Sequence, residues 1–213
     1  MSHDKSYSEF IAAATTYARR DDINTLAWNM LLRTAEARIY RQLRVPNMET
    51  TLIQSVTSEA PYINIPTDLL EVKRMSVGNY PDLIRIDETT RLRHIQNRPF
   101  ASGDPPRYFS RATNRFNFWP GPGDVNICLV YYAQGPGISE AHPTSTMLNI
   151  AYDAYLFGLM VEVMGFTHYD ERLPFWEKRF MLALSEIQNM ADMAEFAGSL
   201  KQEEVMDSDI GEY

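Results

Sequence analysis

The sequence has little of what most chemical sites require. Its 213 residues include one cysteine, Cys128, and four histidines. A single cysteine excludes an internal disulfide, and dispersed histidines do not supply a set of zinc ligands at the usual spacing. Cys128 lies in the apolar run 127–132, where we expect a buried and unreactive thiol. The sequence therefore predicts no metal site and no cofactor.

Long apolar runs are also missing. The first five residues, MSHDK, lack the apolar stretch of a signal peptide. The most apolar segment, 154–166, is interrupted by Glu162 and is too short to span a bilayer, which takes about 20 residues. We therefore expect a soluble protein that is intracellular when made and has no membrane partner.

An excess of positive charge is absent as well. The chain carries 28 acidic and 20 basic residues, a formal net charge of −8. A protein that grips nucleic acid usually presents a dense basic stripe, whereas the basic residues here are scattered, with a loose excess of arginine between 85 and 115. An acidic protein can surround passing DNA without holding it, because like charges repel. The charge permits a DNA channel but does not demonstrate one.

Catalytic motifs are missing in the same way. Gly121 and Gly123 flank a proline and no Lys-Ser/Thr follows, so the segment predicts a turn and not a phosphate-binding loop. There is no Gly-x-Ser-x-Gly elbow, and no acid pair stands near a histidine in a catalytic frame. We therefore predict that the protein is not an enzyme.

Three further groups of residues have a simpler structural interpretation. His168, Asp170 and Glu171 adjoin each other at a helix start, where they are expected to cap the helix. His94, beside Arg91 and Arg93, is expected on a solvated helix face. The remaining group is aromatic and is expected to form a packed sheet face and not a base-stacking platform: Phe116, Phe118, Trp119, Tyr131 and Tyr132.

What the sequence does contain is a clear order of periodic segments. Residues 7–19 and 22–43 have the 3-and-4 spacing of helices, the second capped by Asp21-Asp22 and ended by 45–47. Its principal apolar face is expected to consist of Ile23, Leu26, Ala27, Met30, Leu31 and Thr34, with Trp28, Leu32, Ala35 and Ile39 beside it.

The middle of the chain changes to strand-like alternation. Candidate strands lie near 51–57, 62–66, 70–77, 83–86, 107–111, 115–119 and 125–133, with a short helix at 88–96. Proline and glycine mark loops at 99–106 and 135–143. Two helices follow, 146–165 and about 169–197, and the second has an apolar seam of Trp176, Phe180, Leu184, Ile187, Met190 and Ala191.

These segments predict an α+β fold. The N- and C-terminal helices are expected to form a four-helix bundle, and the β-rich insert a small sheet or sandwich. The expected parts are residues 1–48, the N-terminal helices; 49–143, the insert; 144–198, the C-terminal helices; and 199–213, a flexible acidic tail.

Several segments resemble the head-to-tail adaptor (connector or neck) proteins of tailed bacteriophages, and their shared order carries the resemblance. They are AEARI (35–39), IPTDLLEV (65–72), Tyr108-Phe109, RFNFWPGP (115–122), LVYYA (129–133), STML (145–148) and YDAYLFG (152–158). The similarity covers about residues 7–198. The acidic tail after Leu200 is the part least typical of the family.

The resemblance implies a structural virion protein that forms a homo-oligomeric ring, commonly of twelve copies, in the neck between the capsid portal and the tail. Its partners would be further copies of itself, the portal protein and tail nozzle, tube or fibre proteins, with DNA only as passing cargo in the lumen. Assembly would take place in the host cytoplasm. The C-terminal segment would reach the portal, and its candidate anchors are Leu200, Val205, Met206, Ile210 and Tyr213.

Two other functions compete with this one. A different phage tail component, such as a tail-completion or tail-tube protein, would have a similar mixture of helices and strands. An enzyme, such as a peptidoglycan hydrolase carried in the tail, would need paired carboxylates or a nucleophile in a cleft, and the sequence presents neither.

Overall fold

The computed structural model describes residues 5–20, 22–78, 80–97, 105–121, 123–167 and 171–208, and side chains in the last helix as far as residue 195. In chain order the helices and strands are α1 (Tyr7–Ala18), α2 (Thr25–Gln42), β1 (Glu49–Val56), β2 (Tyr62–Asn64), β3 (Leu69–Val77), β4 (Ile84–Arg85), α3 (Glu88–Asn97), β5 (Tyr108–Ala112), β6 (Arg115–Trp119), β7 (Val125–Ala133), α4 (Thr146–Ile150), α5 (Tyr152–Phe166) and α6 (Leu173–Ser208). The fold is therefore mixed α+β.

The chain forms two compact units. Met1–Met48 and Gly135–Tyr213 make up a helical unit, and Glu49–Gln134 make up a β-rich unit. The sequence predicts that 135–143 belong to the β-rich insert, whereas these residues cluster with the helices. The reason is a direct attachment, since the loop that begins at Gly135 packs against α2.

Helix α5 is the centre of the helical unit, because α1, α2 and α6 all pack against it. It is apolar on nearly all sides, as expected of a helix enclosed by others, and Tyr155 and Leu159 are fully buried. The N- and C-terminal helices therefore pack together, as the sequence predicts.

A polar contact joins α2 to α5 and α6. The Arg38 guanidinium of α2 lies 3.0 Å from the Glu162 carboxylate of α5 and 3.6 Å from the Glu177 carboxylate of α6. It also lies 5.0 Å from the ring centroid of Phe180, a cation–π contact. Both carboxylates and the ring thus converge on one cation.

Helix α2 begins later than the sequence predicts. Its N-cap is Asn24, whose side-chain oxygen accepts a hydrogen bond from the Ala27 N–H at 2.9 Å. The predicted cap at Asp21-Asp22 is wrong for Asp22, which pairs with Arg20 at 2.7 Å, and Asp21 lies outside the described residues. Asn accepts hydrogen bonds from the free N–H groups of a first turn as well as Asp does, so either residue type is a favourable N-cap.

The predicted helix 146–165 is two helices. Ala151 separates α4 from α5 with φ −114° and ψ 35°, outside the helical region. Alanine is the strongest helix former, and Ala151 is fully buried. Tertiary packing at this point therefore overrides local propensity.

The last helix is longer than the sequence predicts. It continues through Ser208 and does not end near Ala197. The flexible tail predicted from Ser199 is helical backbone as far as residue 208, and residues 209–213 lie outside the described part. Acidic and apolar residues alternate too irregularly there to show a helical period, although Glu, Lys, Gln and Met are good helix formers.

The β-rich unit contains two sheets, with strand orders β1-β7-β3 and β2-β6-β5-β4. In the first, β7 pairs antiparallel with both neighbours, and the pairing with β3 has two register shifts. In the second, β5 and β6 form an antiparallel hairpin and β4 pairs parallel with β5. Of the two arrangements left open by the sequence, the insert has two sheets and not one.

Side chains from both sheets meet in one hydrophobic core. The core is built from alternate residues of the strands and includes Val56, Ile63, Met75, Val77, Leu83, Phe109, Phe116, Phe118, Ile127, Leu129 and Tyr131. The predicted packed sheet face of aromatic residues is confirmed for Phe116, Phe118 and Tyr131, which lie in this core. Trp119 and Tyr132 are also buried, but they point to the opposite faces of their strands. Cys128 is half-buried and not buried, because it points away from the core face that Ile127 and Leu129 share.

Candidate assembly surface

The outward face of α2 is apolar at one end and basic at the other. Leu26 is 79% exposed and Met30 is 53% exposed, and Arg33 and Arg41 are exposed farther along the same stripe. Spacings of three and four residues place all four on one side of the helix. Together with Thr34 and Ala37 they form what we call the α2 face.

The predicted principal apolar face of α2 is only partly correct. Ile23 and Leu31 are buried and Ala27 is half-buried, whereas Leu26, Met30 and Thr34 are exposed. The face that packs into the helical unit consists of Trp28, Leu31, Leu32, Ala35, Glu36, Ile39 and Tyr40. Two apolar stripes compete in this helix, and the one with the larger side chains is buried because it removes more apolar area from water.

A shallow groove runs along the α2 face. Its lining residues all belong to α2, at intervals of three or four positions: Leu26, Asn29, Met30, Arg33, Thr34, Ala37 and Arg41. The small side chain of Ala37 lies between the two arginines. The groove therefore combines an apolar end with two exposed cations and leaves space at Ala37.

Helix α6 has a second exposed apolar stripe. Phe175, Leu182, Met190 and Met193 are all about half exposed or more, and Met193 reaches 73%. Together with Glu186, which lies on the same side one turn beyond Leu182, they form what we call the α6 face. The predicted seam is confirmed at Trp176, Phe180, Leu184 and Ile187, which are buried. It is wrong at Met190, which is 63% exposed, and Ala191 is only half-buried.

The loop that returns from β7 is attached to α2 by a buried carboxylate. Glu36 is 3% exposed, and its Oε1 accepts a hydrogen bond from the Ile138 N–H at 2.9 Å. A Cβ at Gly137 would lie 3.0 Å from the Glu36 Oε2, and one at Gly135 would lie 2.9 Å from the Tyr40 hydroxyl oxygen. Glycine at both positions lets the backbone approach these two side chains.

The buried environment of Glu36 raises the pKa of its carboxyl group. Burial raises it from 4.5 to about 7, against the opposing effects of the Ile138 N–H and the Arg33 charge. Burial likewise raises the pKa of the neighbouring Tyr155 phenol. Glu36 binds a segment of its own chain through the Ile138 N–H, so a structural role fits the cluster.

In the β-rich unit, α3 covers the outer side of the second sheet through a polar and aromatic contact. The His94 ring stacks on Tyr108, with centroids 5.7 Å apart and planes 8° from parallel, and lies 6.5 Å from Trp119. Glu88 accepts hydrogen bonds from the Ser110 hydroxyl and from Arg91, whose Nε is 2.9 Å away. The Arg91 bond is the main reason that the pKa of Glu88 is lowered.

These contacts refine the prediction for His94. It is exposed, as expected for a solvated helix face, but its ring is held against two aromatic residues. No residue of α3 is fully buried. The helix is therefore held to the sheet by a few specific contacts and not by a hydrophobic core.

The predicted portal-binding residues do not form a described cluster. Leu200, Val205 and Met206 belong to the backbone of α6, whereas Ile210 and Tyr213 lie outside the described residues. Their assignment stays a prediction. Of the residues expected to cap the last helix, His168 and Asp170 also lie outside the described part, and Glu171 precedes α6.

Among the described residues, no group of three or more His, Cys, Asp or Glu side chains is placed to hold a metal ion. Within the same part of the chain, no helix is both long and apolar enough to cross a membrane.

A comparison with protein-family models gives one match over nearly the whole chain. The model described as the SU10 adaptor protein matches residues 5–202. The chain belongs to the SU10 adaptor protein family. This family consists of phage head–tail adaptors, so the resemblance seen in the ordered segments from AEARI to YDAYLFG is confirmed. A comparison with curated proteins gives no match.

As a member of this family, the adaptor is a phage structural protein. The family implies binding to other phage structural proteins. The α2 and α6 faces were missed by the sequence analysis, although a signal was present: α2 contains more apolar residues than one buried face requires, and Met193 lies on the side of α6 opposite Leu184.

Proposed function

We propose that this adaptor forms a closed ring, commonly of twelve copies, that joins the capsid portal to the phage tail and lets DNA pass through its lumen. In this proposal it acts in the neck of the virion, has no catalytic activity and takes part in genome ejection only by shaping the channel. The helices α1, α2, α5 and α6 form the bundle from which the ring is built.

Membership of the SU10 adaptor family over residues 5–202 is the observation that carries the proposal. Two properties of the chain support it. The net charge of −8 suits a lumen that does not retain DNA. The helical unit also exposes two different apolar faces, as a subunit that contacts one neighbour on each side requires.

The C-terminal segment is the proposed portal anchor. Residues 199–208 continue α6, and in this proposal the segment 199–213 binds the portal, with Leu200, Val205, Met206, Ile210 and Tyr213 supplying apolar contacts. Removing the residues after Ser199 is expected to abolish portal binding, while the far-ultraviolet circular dichroism loses only the helical signal of the removed end of α6. Normal assembly of the shortened chain with purified portal would contradict this part of the proposal.

The mass of the assembled species tests the ring. Light scattering after size-exclusion chromatography, with and without the portal protein, is expected to give a single closed species near twelve copies in at least one of the two conditions. Tubes of open-ended length would instead favour a tail-tube or tail-completion protein, which is the competing function. A chain that stays monomeric in both conditions would contradict ring formation.

A further inference from the structure

The helical unit presents two exposed faces that combine apolar and charged side chains. The α2 face has Leu26 and Met30 at one end and the cations Arg33 and Arg41 at the other. The α6 face has its apolar residues on both sides of Glu186. Glu186 is the one acidic residue of the α6 face among the described residues, and Arg179 lies over the Phe175 ring at the other end of this face, 4.7 Å from its centroid. Charge complementarity between the two faces is therefore local, between Arg33 and Glu186.

The spacing of the side chains is complementary as well. Met30, Arg33 and Ala37 follow one another by single turns on α2, and Leu182, Glu186 and Met190 do so on α6. If the two helices run parallel in this register, Met30 meets Leu182 and Arg33 meets Glu186. The long side chain of Met190 then faces the small Ala37, where the groove has space.

The two faces cannot meet within one copy. Inside the helical unit, Arg44, two residues after the end of α2, is already joined to α6: its N–H donates to the Gln188 Oε1 at 2.8 Å, and the Gln188 Nε2 donates to the Arg44 carbonyl at 3.1 Å. The contact of Arg38 with Glu177 adds to this attachment. Both outward faces therefore point away from the contact that α2 and α6 make.

We propose that the α2 face of one copy binds the α6 face of the next copy, with Arg33 and Glu186 as the central ion pair. Such an interface joins two different surfaces, so a chain of copies always ends in one free α2 face and one free α6 face. The chain closes into a ring when the rotation between neighbouring copies divides a full turn. The inference rests on the proposed ring, and it names the surfaces through which the ring is built.

Charge reversal tests the interface. Arg33→Glu places two anions in contact and Glu186→Arg two cations, so each variant alone is expected to lose the oligomer, weakening assembly about tenfold or more. The double variant restores opposite charges and is expected to assemble. A 1:1 mixture of the two single variants is also expected to assemble, because alternation of the two kinds of copy brings opposite charges together at every interface.

The measurement is native mass spectrometry, alone and with the portal protein, with circular dichroism to confirm that each variant is folded. Matched controls are Glu59→Arg and Arg85→Glu, two exposed residues of the β-rich unit, which are expected to assemble normally. If the parent chain assembles and both single variants assemble equally well, the interface is wrong while the ring stands. If the parent chain assembles in neither condition, the ring itself is contradicted and the interface falls with it.

Discussion

The Glu36 carboxylate accepts a hydrogen bond from the Ile138 N–H at 2.9 Å, at a position where only 3% of Glu36 is exposed. This contact attaches to α2 the segment that re-enters the helical unit after β7. It also places an ionisable group in the interior, where desolvation disfavours its charged form. The stability of the adaptor should therefore depend on pH in a defined direction.

The pKa of Glu36 is raised from 4.5 to about 7, so the folded chain binds this proton more tightly than the unfolded chain does. The resulting stabilisation is fully present below about pH 4.5 and is lost as the pH rises through about 7, an effect on the order of 3 kcal/mol. Glu36→Gln keeps an acceptor for the Ile138 N–H and removes the titration. The stability of the parent relative to this variant should fall between pH 5 and 8 in urea unfolding.

The matched control for that experiment is Glu171→Gln, an exposed position of the same unit, which should follow the parent at every pH. Equal pH dependence of the parent chain and Glu36→Gln would show that Glu36 does not titrate in this range.

Two glycines of α5 provide a matched pair of substitutions. A Cβ at Gly158 would lie 2.9 Å from the Phe180 Cε2, whereas nothing lies within 4 Å of a Cβ at Gly165. Phe180 is fully buried between α5 and α6. Gly158→Ala should destabilise the protein by about 1–3 kcal/mol through overpacking. Gly165→Ala should be neutral or stabilise by up to about 1 kcal/mol.

Chemical denaturation of both variants measures this difference. If Gly158→Ala is as stable as Gly165→Ala, α5 and α6 do not approach each other closely at this position.

Arg38 should stabilise the packing of α2 on α5 and α6 mainly by balancing the negative charge of the Glu162 carboxylate. Arg38→Met keeps an apolar stem against Phe180 and leaves the half-buried Glu162 without this cation, at a cost of about 1–2 kcal/mol. Adding Glu162→Gln should recover part of the loss, because the unpaired charge is then removed. A double-mutant cycle in urea measures the coupling, and additive losses would show that the two side chains do not interact.

The contact of α3 with the second sheet should open separately from the rest of the β-rich unit. Glu88→Ala removes the acceptor for Ser110 and Arg91, and amide hydrogen exchange in α3 should increase about tenfold while β5 and β6 stay protected. Thr89→Ala, an exposed position on the same helix, is the control. Unchanged exchange in α3 after Glu88→Ala would mean that other contacts hold the helix.

The order of helices and strands could be predicted from the sequence because periodicity and turn residues are local signals. Strands β6 and β7 have the predicted bounds, and the helix at 88–96 differs from α3 by one residue. The break at Ala151 could not be predicted in this way, since it arises where a good helix former is packed in the interior.

Local sequence signals also do not show which side of α2 is buried. Leu26, Met30 and Thr34 form as regular a stripe as Leu31, Leu32 and Ala35, and only the packing of α5 against the second stripe decides between them. The buried role of Glu36 depends on a contact with Ile138, 102 positions away, which no local pattern indicates. Contacts between residues far apart in the chain therefore decide which side of α2 is exposed and how the loop after β7 is attached.

The most direct test of the central claim is to mix the purified adaptor with its portal protein and image the product by electron microscopy. We expect an added ring of adaptor density on the tail-facing side of the portal, with a continuous axial channel. Portal particles that remain without added density, while the adaptor stays monomeric or forms separate tubes, would contradict it.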